Sequence, residues 1–280
     1  MKGIMIQGTA SNVGKSLLAT ALCRLYVNKG YAVAPFKAQN MSSFTIPLGE
    51  DIEMSIAQFQ QAQAAKIEPS VYMNPIVLKP YLQQETEVLF LGKAQGKLQG
   101  STFKSVYYDR AKQAVQTGLS ELEKKYDLLV IEGAGSPVEM NLKDRDLANM
   151  AIAELADVPV ILVADIDRGG AFASIVGTLE LLAPEERKRV KGLIINKFHG
   201  DMTTFSSGRE WIERHTGLPV LGVIPGLKHH IKEEDELDAN GEQKSGMPAE
   251  EDYEELAAQV EKYIDWQKLL AISLGENHAY

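Results

Sequence analysis

The stretch GIMIQGTASNVGKS, residues 3–16, decides the fold. It opens with a short apolar run typical of a buried strand, and glycine and polar residues interrupt the run from Gly8 onward. Beyond it, Leu18, Leu22 and Leu25 recur at the spacing of one helical face. The stretch therefore predicts a strand, a glycine-rich turn and a helix, in that order.

The turn between strand and helix has the composition of a phosphate-binding loop. Its glycines let backbone N–H groups approach phosphate oxygens, and the start of the helix adds partial positive charge. In this pattern the lysine reaches the β- and γ-phosphates, and the serine hydroxyl binds Mg²⁺. We predict that the nucleotide is bound by Gly8, Thr9, Asn12, Val13, Gly14, Lys15 and Ser16. The loop alone leaves GTPase, ATPase, kinase and ligase chemistry open.

Short Val/Ile/Leu runs alternate with longer amphipathic stretches along the rest of the chain. The pattern predicts an α/β protein with a doubly wound, mostly parallel sheet, because apolar strands separated by helices are typical of that class. Ligands bind beyond the carboxyl ends of such strands, so site residues should follow strands. Beyond the first strand and helix, strands are predicted over residues 32–36, 128–132, 159–165, 190–196 and 219–224, and helices over 56–65, 107–125, 147–156, 171–182, 205–216 and 253–270.

Composition narrows the class of protein. The net charge of −9 gives no reason to expect nucleic-acid binding. The N-terminal residues match neither a signal peptide nor a membrane span. One cysteine, Cys23, excludes an intramolecular disulfide and suits a reducing compartment. We therefore expect a cytoplasmic protein that binds neither nucleic acid nor membranes.

Acidic residues concentrate near the end of the sequence. Residues 233–256 hold eleven acidic side chains and one basic one, which predicts a solvated linker. We predict a nucleotide-binding domain over residues 1–235, followed by an acidic linker and terminal helix over 236–280.

Two predicted strand ends carry candidate catalytic groups. Lys37 follows the second strand, where it could meet an anionic substrate or the transferring phosphoryl group, or be an ordinary surface lysine. Gln39 and Asn40 follow it and are predicted to contact the substrate. Glu132 ends the strand over 128–132 beside two glycines, a setting that suits Mg²⁺ coordination or a simple turn.

Two further strand ends carry candidate binding groups. Asp165 and Arg168 are predicted to contact the substrate, although Arg168 could instead pair internally with a neighbouring aspartate. Asn196 could read the edge of a nucleotide base. Because His199 stands where a guanine-reading motif has aspartate, adenine is favoured over guanine.

Longer blocks carry a specific resemblance. Together with the phosphate loop, and in the same order, they resemble the cobyric acid synthase family, within the dethiobiotin-synthetase-like branch of the P-loop fold. The resemblance covers about residues 1–235, and the five-residue spacing between Gly8 and Gly14 is usual in that branch. The blocks are PFKAQNMS at 35–42, MNPIVLKP at 73–80, EGAGSPVEMNLKDRDLANM at 132–150, DIDRGGAFASIVGT at 165–178 and INKFHGD at 195–201.

The resemblance implies an ATP-dependent amidation in cobalamin biosynthesis. The family amidates side-chain carboxylates of a corrinoid, adenosylcobyrinic acid a,c-diamide: ATP phosphorylates a carboxylate, and ammonia attacks the acyl phosphate. Carried over to this sequence, Lys15 and Lys37 would stabilise the moving phosphoryl group. Ser16 and Glu132 would hold Mg²⁺, with Glu53 as a further metal contact.

The sequence departs from the family in two places. The family usually continues into a glutaminase domain with a cysteine nucleophile, whereas Cys23 lies in the predicted helix after the phosphate loop, where a packed thiol is expected. We therefore expect no glutaminase activity from this chain, with ammonia supplied by a glutaminase domain, by a separate chain or as free ammonia. In addition, Ile56 stands where the family has arginine. A homodimer is compatible with the sequence.

Two alternatives remain open. One is an ATP-dependent switch protein of the ParA/MinD type, although such proteins typically carry a second lysine where this sequence has Thr9 and Ala10. The other is an inactive fragment of the synthase.

Overall fold

The computed structural model describes residues 1–80, 85–99, 103–141, 143, 146–231 and 247–276. The strands are β1 Gly3–Gly8, β2 Val33–Phe36, β3 Gln39–Met41, β4 Thr45–Gly49, β5 Ile52–Ser55, β6 Ile76–Pro80, β7 Glu85–Phe90, β8 Lys93–Gln99, β9 Leu128–Glu132, β10 Val160–Asp165, β11 Val190–Phe198 and β12 Val220–Pro225. The helices are α1 Lys15–Asn28, α2 Ile56–Ala64, α3 Phe103–Glu123, α4 Met150–Leu155, α5 Ala171–Leu181, α6 Pro184–Arg189, α7 Ser206–Thr216, α8 Glu250–Glu261 and α9 Trp266–Leu274.

Six strands form the central sheet, in the order β12-β11-β10-β1-β9-β2, and every neighbouring pair is parallel. These are the six strands that the sequence predicts, so the prediction of a doubly wound parallel sheet is confirmed. The strand β1 lies between β9 and β10, and the loops that follow these three strands therefore meet at one edge. With the glycine-rich turn after β1, this is a P-loop NTPase-like α/β fold.

Alternate residues of the strands pack into two separate cores. Ile4 and Ile6 of β1 belong to the cluster that contains Leu22 of α1, whereas Met5 belongs to the cluster that contains Val115 of α3. Both faces of the sheet are thus covered by helices. This double burial is why the strands are continuously apolar in sequence.

A second, smaller sheet was not predicted. Its strand order is β3-β6-β7-β8, and β4 and β5 form a separate hairpin. The sequence analysis missed these strands because they are short or half-exposed: β8, for example, reads KAQGKLQ and contains only one large apolar residue. Strands with a solvated face lack the continuous apolar runs of buried parallel strands, as in β8, whereas β6 and β7 each hold three consecutive buried apolar residues that were left unassigned.

The prediction of one terminal helix over 253–270 is wrong. The chain forms α8 and α9 with a turn between them, where Ile264 bridges to Gly222 and the N–H of Asp265 donates to the Leu221 carbonyl at 2.6 Å. The linker prediction is also wrong from Glu250 onward, because α8 begins there. Residues 233–246 of the predicted linker lie outside the described residues.

Helix α8 packs against α1 through a buried arginine. Arg24 is fully buried, and its Nη2 donates to Glu250 Oε2 at 2.8 Å while its Nη1 donates to Glu254 Oε1 at 2.8 Å. The hydrogen bond from Arg24 is the main cause that lowers the pKa of Glu250 to about 2; burial opposes it by less, and a hydrogen bond from Lys66 adds to it. The contact fastens a helix from the end of the chain to the helix that follows the phosphate loop.

In the described ranges, no helix combines the length and the hydrophobicity that a membrane crossing requires.

Candidate active site

The glycine-rich turn leaves β1 and enters α1 as predicted. A Cβ on Gly8 would lie 2.7 Å from Val13 Cγ2 and 2.8 Å from Lys15 Nζ, so only glycine fits there. Gly14 has a φ of 91° and Asn12 a φ of 60°, the left-handed conformations that let the chain curl before the helix. The residue types at these positions therefore follow from the shape of the turn.

Side chains at the carboxyl end of β11 brace this loop. Asn196 Nδ2 donates to the Val13 carbonyl at 2.8 Å, and Lys197 Nζ donates to the Asn12 carbonyl at 2.6 Å. Lys197 also pairs with Asp165 Oδ2 at 3.2 Å. The amide nitrogen of Asn196 therefore supports the loop from behind, and a role in reading the nucleotide base stays a prediction.

The ammonium group of Lys15 lies between two loops. It donates to the Ala10 carbonyl at 3.0 Å and to the Gly135 carbonyl at 2.9 Å. Gly135 belongs to the loop after β9, so this lysine joins the first strand–helix junction to the end of the neighbouring strand. Thr9, on the opposite side of the loop, accepts a hydrogen bond from the Ser174 hydroxyl of α5 at 3.3 Å.

Glu132, at the end of β9, gathers donors from three other elements. Its Oε1 accepts from Ser16 Oγ at 2.6 Å and from Lys37 Nζ at 2.7 Å, and its Oε2 accepts from Gln61 Nε2 at 2.8 Å. The side chain of Glu132 is 1% exposed. Burial opposes its ionisation, but the Lys37 charge and the three hydrogen bonds outweigh burial and lower the pKa of Glu132. The predicted catalytic residues Lys37 and Glu132 are thus in direct contact.

The donor set at this edge fits a magnesium-bound triphosphate. Ser16 and Glu132 offer hydroxyl and carboxylate oxygens, the hard ligands that Mg²⁺ prefers, and Lys15 and Lys37 offer two ammonium groups for phosphate oxygens. Among the described residues, no three His, Cys, Asp or Glu side chains form a metal-binding group. A magnesium ion here would therefore take its remaining ligands from phosphate oxygens and water, as is usual for Mg²⁺.

The loop after β9 is held in shape by Asn149. Its Nδ2 donates to the Ala134 carbonyl at 2.8 Å, and its Oδ1 accepts from the Ala134 N–H at 2.9 Å. Asp146 in turn accepts from the Asn149 N–H at 2.8 Å. The loop that presents Gly135 to Lys15 is therefore fixed by side chains rather than by a sheet.

A hollow of about 330 Å³ opens beside the phosphate loop. Gln39, predicted to contact the substrate, lines it. Asn40 is the next residue on β3 and is buried on the other side, where its Nδ2 donates to Gln58 Oε1 at 3.2 Å. The residues that line the hollow include Ser11, Gln39, Met41, Gly135, Ser136 and Lys143.

Glu132 with Ser16, Lys37 and Gln61 is here called the Glu132 cluster. Three other predicted site residues lie apart from it. The Arg168 side chain is 64% exposed, with its Nε 3.8 Å from Asp165 Oδ2, so the internal pairing considered from the sequence is present but long. Asp165 itself is buried against Lys197. Glu53 contacts Lys79 at 2.7 Å and the Thr45 hydroxyl, and its assignment as a metal ligand stays a prediction.

Gln61 is the contact of Glu132 that the sequence analysis missed. Helix α2 carries several glutamines and no charged residue, and Gln58 and Gln61 lie three apart on one face. Uncharged amides that are fully buried need partners, so this spacing was the available signal. Ile56, which stands where the family has arginine, is buried at the start of the same helix.

Comparison with known proteins identifies relatives. A family model described as AAA domain matches residues 2–234. A cobyric acid synthase of Acaryochloris marina is 50% identical over 238 residues, which are 85% of this chain and 48% of the relative. A probable cobyric acid synthase of Methanothermobacter thermautotrophicus is 52% identical over 237 residues, 84% of this chain and 47% of the relative. The chain thus spans about half the length of the curated relatives it matches.

Among solved structures, the signal recognition particle 54 kDa protein of Aeropyrum pernix, in complex with GDP, matches with a TM-score of 0.48. It is 17% identical, and the match covers 98% of this chain and 46% of that one. Because the family model matches residues 2–234, and about half of the aligned residues are identical to each of the two cobyric acid synthases, the chain belongs to the AAA domain family, in the part that cobyric acid synthases share.

Proposed function

We propose that this chain carries the ATP-dependent amidation of carboxylate side arms on a corrinoid; its similarity to proteins named cobyric acid synthase supports this. The observation that carries the proposal is that Ser16 Oγ and Lys37 Nζ both donate to Glu132 Oε1, at 2.6 and 2.7 Å. These three side chains lie beside the phosphate loop, at the carboxyl ends of the sheet strands. Phosphoryl transfer there would need the charges of Lys37 and Glu132.

Lys15, the loop amides and the start of α1 would bind the triphosphate of ATP. Ser16 and Glu132 would hold Mg²⁺, which supplies positive charge to the phosphate oxygens when bound. Lys37 stands against Glu132 and would meet the developing charge on the γ-phosphate. Charges fixed in advance in a buried site are the main source of rate in this chemistry.

The proposed reaction balances in two steps. First, a carboxylate oxygen of the corrinoid attacks the γ-phosphorus, the bond from that phosphorus to the ADP oxygen breaks, and an acyl phosphate forms. Second, the nitrogen of ammonia attacks the acyl carbon, the carbon–oxygen bond to phosphate breaks, and a proton is lost. Neither step requires a covalent bond to the protein.

The hollow beside the phosphate loop supports a substrate that enters arm by arm. Its volume of about 330 Å³ suits a single carboxylate arm, so the macrocycle would remain outside it. Gln39 and Ser136 border this space and would hydrogen-bond the arm. Asp165 and Arg168 would contact outer parts of the substrate.

Cys23 would not act as the nucleophile of a glutaminase reaction, so the ammonia would come from another source. Cys23 is fully buried in α1, as the sequence predicts for a packed thiol, and burial raises the pKa of its thiol far above neutrality. A glutaminase domain, a separate glutaminase chain or free ammonia would supply the nitrogen.

The test is an amidation assay with purified protein, Mg-ATP, ammonium and a cobyrinic acid diamide. We expect ADP, phosphate and amidated corrinoid to form in step, as measured by mass spectrometry and phosphate release. With glutamine as the only nitrogen donor, no amide should form. Loss of ATP without amide in the presence of corrinoid and ammonium would contradict the proposal.

Lys15→Ala should abolish turnover, because the triphosphate loses its central ammonium contact. Lys112→Ala, on the exposed face of α3, is the matched control and should retain full activity. Circular dichroism should give the same helix content for both variants.

A further inference from the structure

Glu132 is hydrogen-bonded to a line of buried amide side chains that have no role in the proposed reaction. Gln61 Nε2 donates to Glu132 Oε2 at 2.8 Å, and Gln58 Nε2 donates to Gln61 Oε1 at 3.5 Å. Gln58 Oε1 then accepts from Asn40 Nδ2 at 3.2 Å and from the Ser55 hydroxyl. The line runs from the end of β9 through α2 to β3.

Every member of this line is buried. Ser55, Gln58 and Gln61 are fully buried, and Asn40 is 4% exposed. Burying an amide is unfavourable unless its donors and acceptors are satisfied. A helix that only had to fill space would carry apolar residues at these positions, so the two glutamines point to a role in orientation.

The charge of Glu132 fixes the direction of every amide. An ionised carboxylate only accepts hydrogen bonds, so Gln61 must turn its NH₂ group toward Glu132 and its oxygen toward Gln58. Gln58 is oriented the same way by its own contacts. Hydrogen bonds aligned in one direction polarise and strengthen each other.

Because Gln61 bonds to only one carboxylate oxygen of Glu132, the two oxygens have different partners. Gln61 occupies Oε2, whereas Oε1 is the atom that meets Ser16 and Lys37. A carboxylate held at one oxygen cannot rotate freely about its last bond. The oxygen that faces the phosphate loop is therefore fixed by a residue that does not itself face the loop.

We propose that Gln61 is a positioning residue for Glu132, with Gln58 and Asn40 holding Gln61 in turn. The inference rests on the proposed role of Glu132 in binding magnesium. By its connection to β3, the line also ties this carboxylate to the strand from which Gln39 enters the hollow. Partners of this kind, which orient a metal-binding group, typically change metal affinity by about 10–100-fold when removed.

The test is metal binding by this chain with Gln61→Met, which keeps the side-chain length and removes the donor. Mn²⁺ serves as the probe, and its binding in the presence of ATP is measured by electron paramagnetic resonance. We expect the affinity for Mn²⁺ to fall about 10–100-fold, while ATP binding in EDTA, measured by calorimetry, stays as in the parent chain. Gln60→Met is the matched control, since Gln60 is also buried in α2, and it should leave both affinities unchanged.

Three results would overturn the inference. One is unchanged Mn²⁺ affinity in Gln61→Met. The second is an equal loss of Mn²⁺ and metal-free ATP binding with a lower melting temperature, which would mean a packing role alone. The third is a parent chain that binds ATP without any metal dependence, which would also refute the proposed role of Glu132. If Gln61→Met does not fold, Gln58→Met should give a smaller decrease in Mn²⁺ affinity, and an unchanged affinity there would refute the inference.

Discussion

Two buried charged side chains, Glu132 beside the start of α1 and Arg24 within α1, differ in the residues that surround them. At the start of the helix, Ser16 meets the anion Glu132, which is 1% exposed and receives donors from three elements. Two turns later the cation Arg24 is fully buried and meets Glu250 and Glu254, whose side chains are 52% and 42% exposed.

The origin of the partners distinguishes a charged cluster at the candidate ligand site from one that holds helices together. The partners of Glu132 come from the start of α1, the carboxyl end of β2 and α2, and they converge where a ligand would bind. Both carboxylate partners of Arg24 come from α8, and its third partner is the Gln63 carbonyl of α2, so that cluster fastens helices to one another. Burial of charge by itself therefore says little about function; the origin and the direction of the partners carry the information.

The largest effect is expected from removing both anions of the Arg24 cluster, with Glu250→Gln and Glu254→Gln together. Arg24 would then keep a buried charge without its carboxylates, which is strongly destabilising. Because water reaches both carboxylates, we expect the lower end of the usual range, a loss of about 3 kcal/mol in the free energy of unfolding measured in urea.

The control for this change is the same pair of substitutions in an Arg24→Met chain. There no buried charge is left, so the pair should cost much less. An equal cost in both chains would mean that the carboxylates stabilise α8 in some other way.

The next effect, on activity rather than stability, is expected from Glu132→Gln. It removes the charge that Lys37 and Ser16 meet, and turnover in the amidation assay should fall by about 100-fold or more. Glu210→Gln, an exposed acid on α7, serves as the control and should retain activity. If Glu132→Gln lowered turnover no more than this control, the Glu132 cluster would be structural like its counterpart at Arg24.

These two clusters also mark what the sequence can and cannot predict. Glu132 and Lys37 were predicted because each follows an apolar strand, and the parallel sheet brings strand ends together. Gln61 was not, because the three-residue spacing of Gln58 and Gln61 is a weak signal that gains meaning only once their burial is known. Arg24 and Glu250 are separated by 226 positions, and no local pattern connects them.

The prediction of secondary structure from the sequence failed in two regions for a related reason. The six buried strands were predicted from their apolar runs. In the small sheet, β3 and β8 lack such runs, and the three-residue apolar runs of β6 and β7 were left unassigned. The terminal helix was divided at Ile264 by a contact with β12, a tertiary effect that helical periodicity does not contain.

A smaller effect is expected when acid neutralises the Arg24 cluster. The pKa of Glu250 is lowered from 4.5 to about 2, so the folded state holds this carboxylate ionised at a pH where the unfolded chain has protonated it. Its contribution is complete above pH 4.5 and is lost as the pH falls toward about 2. The free energy of unfolding should decline over this interval, and more steeply in the parent chain than in Glu250→Gln. Parallel pH profiles would contradict the assignment.

The smallest effect is expected from Asn196→Ala, which separates two roles of one side chain. If the amide braces the phosphate loop through the Val13 carbonyl, its loss removes one hydrogen bond worth about 1 kcal/mol, and nucleotide affinity should fall about fivefold. A brace acts on the loop and is indifferent to the base, so ATP and GTP should weaken by the same factor. A base-reading amide would instead change the ratio of the two affinities. Calorimetric titration of both nucleotides into the variant and the parent chain distinguishes these outcomes, with Asn28→Ala, far along α1 from the loop, as the control that should change neither affinity.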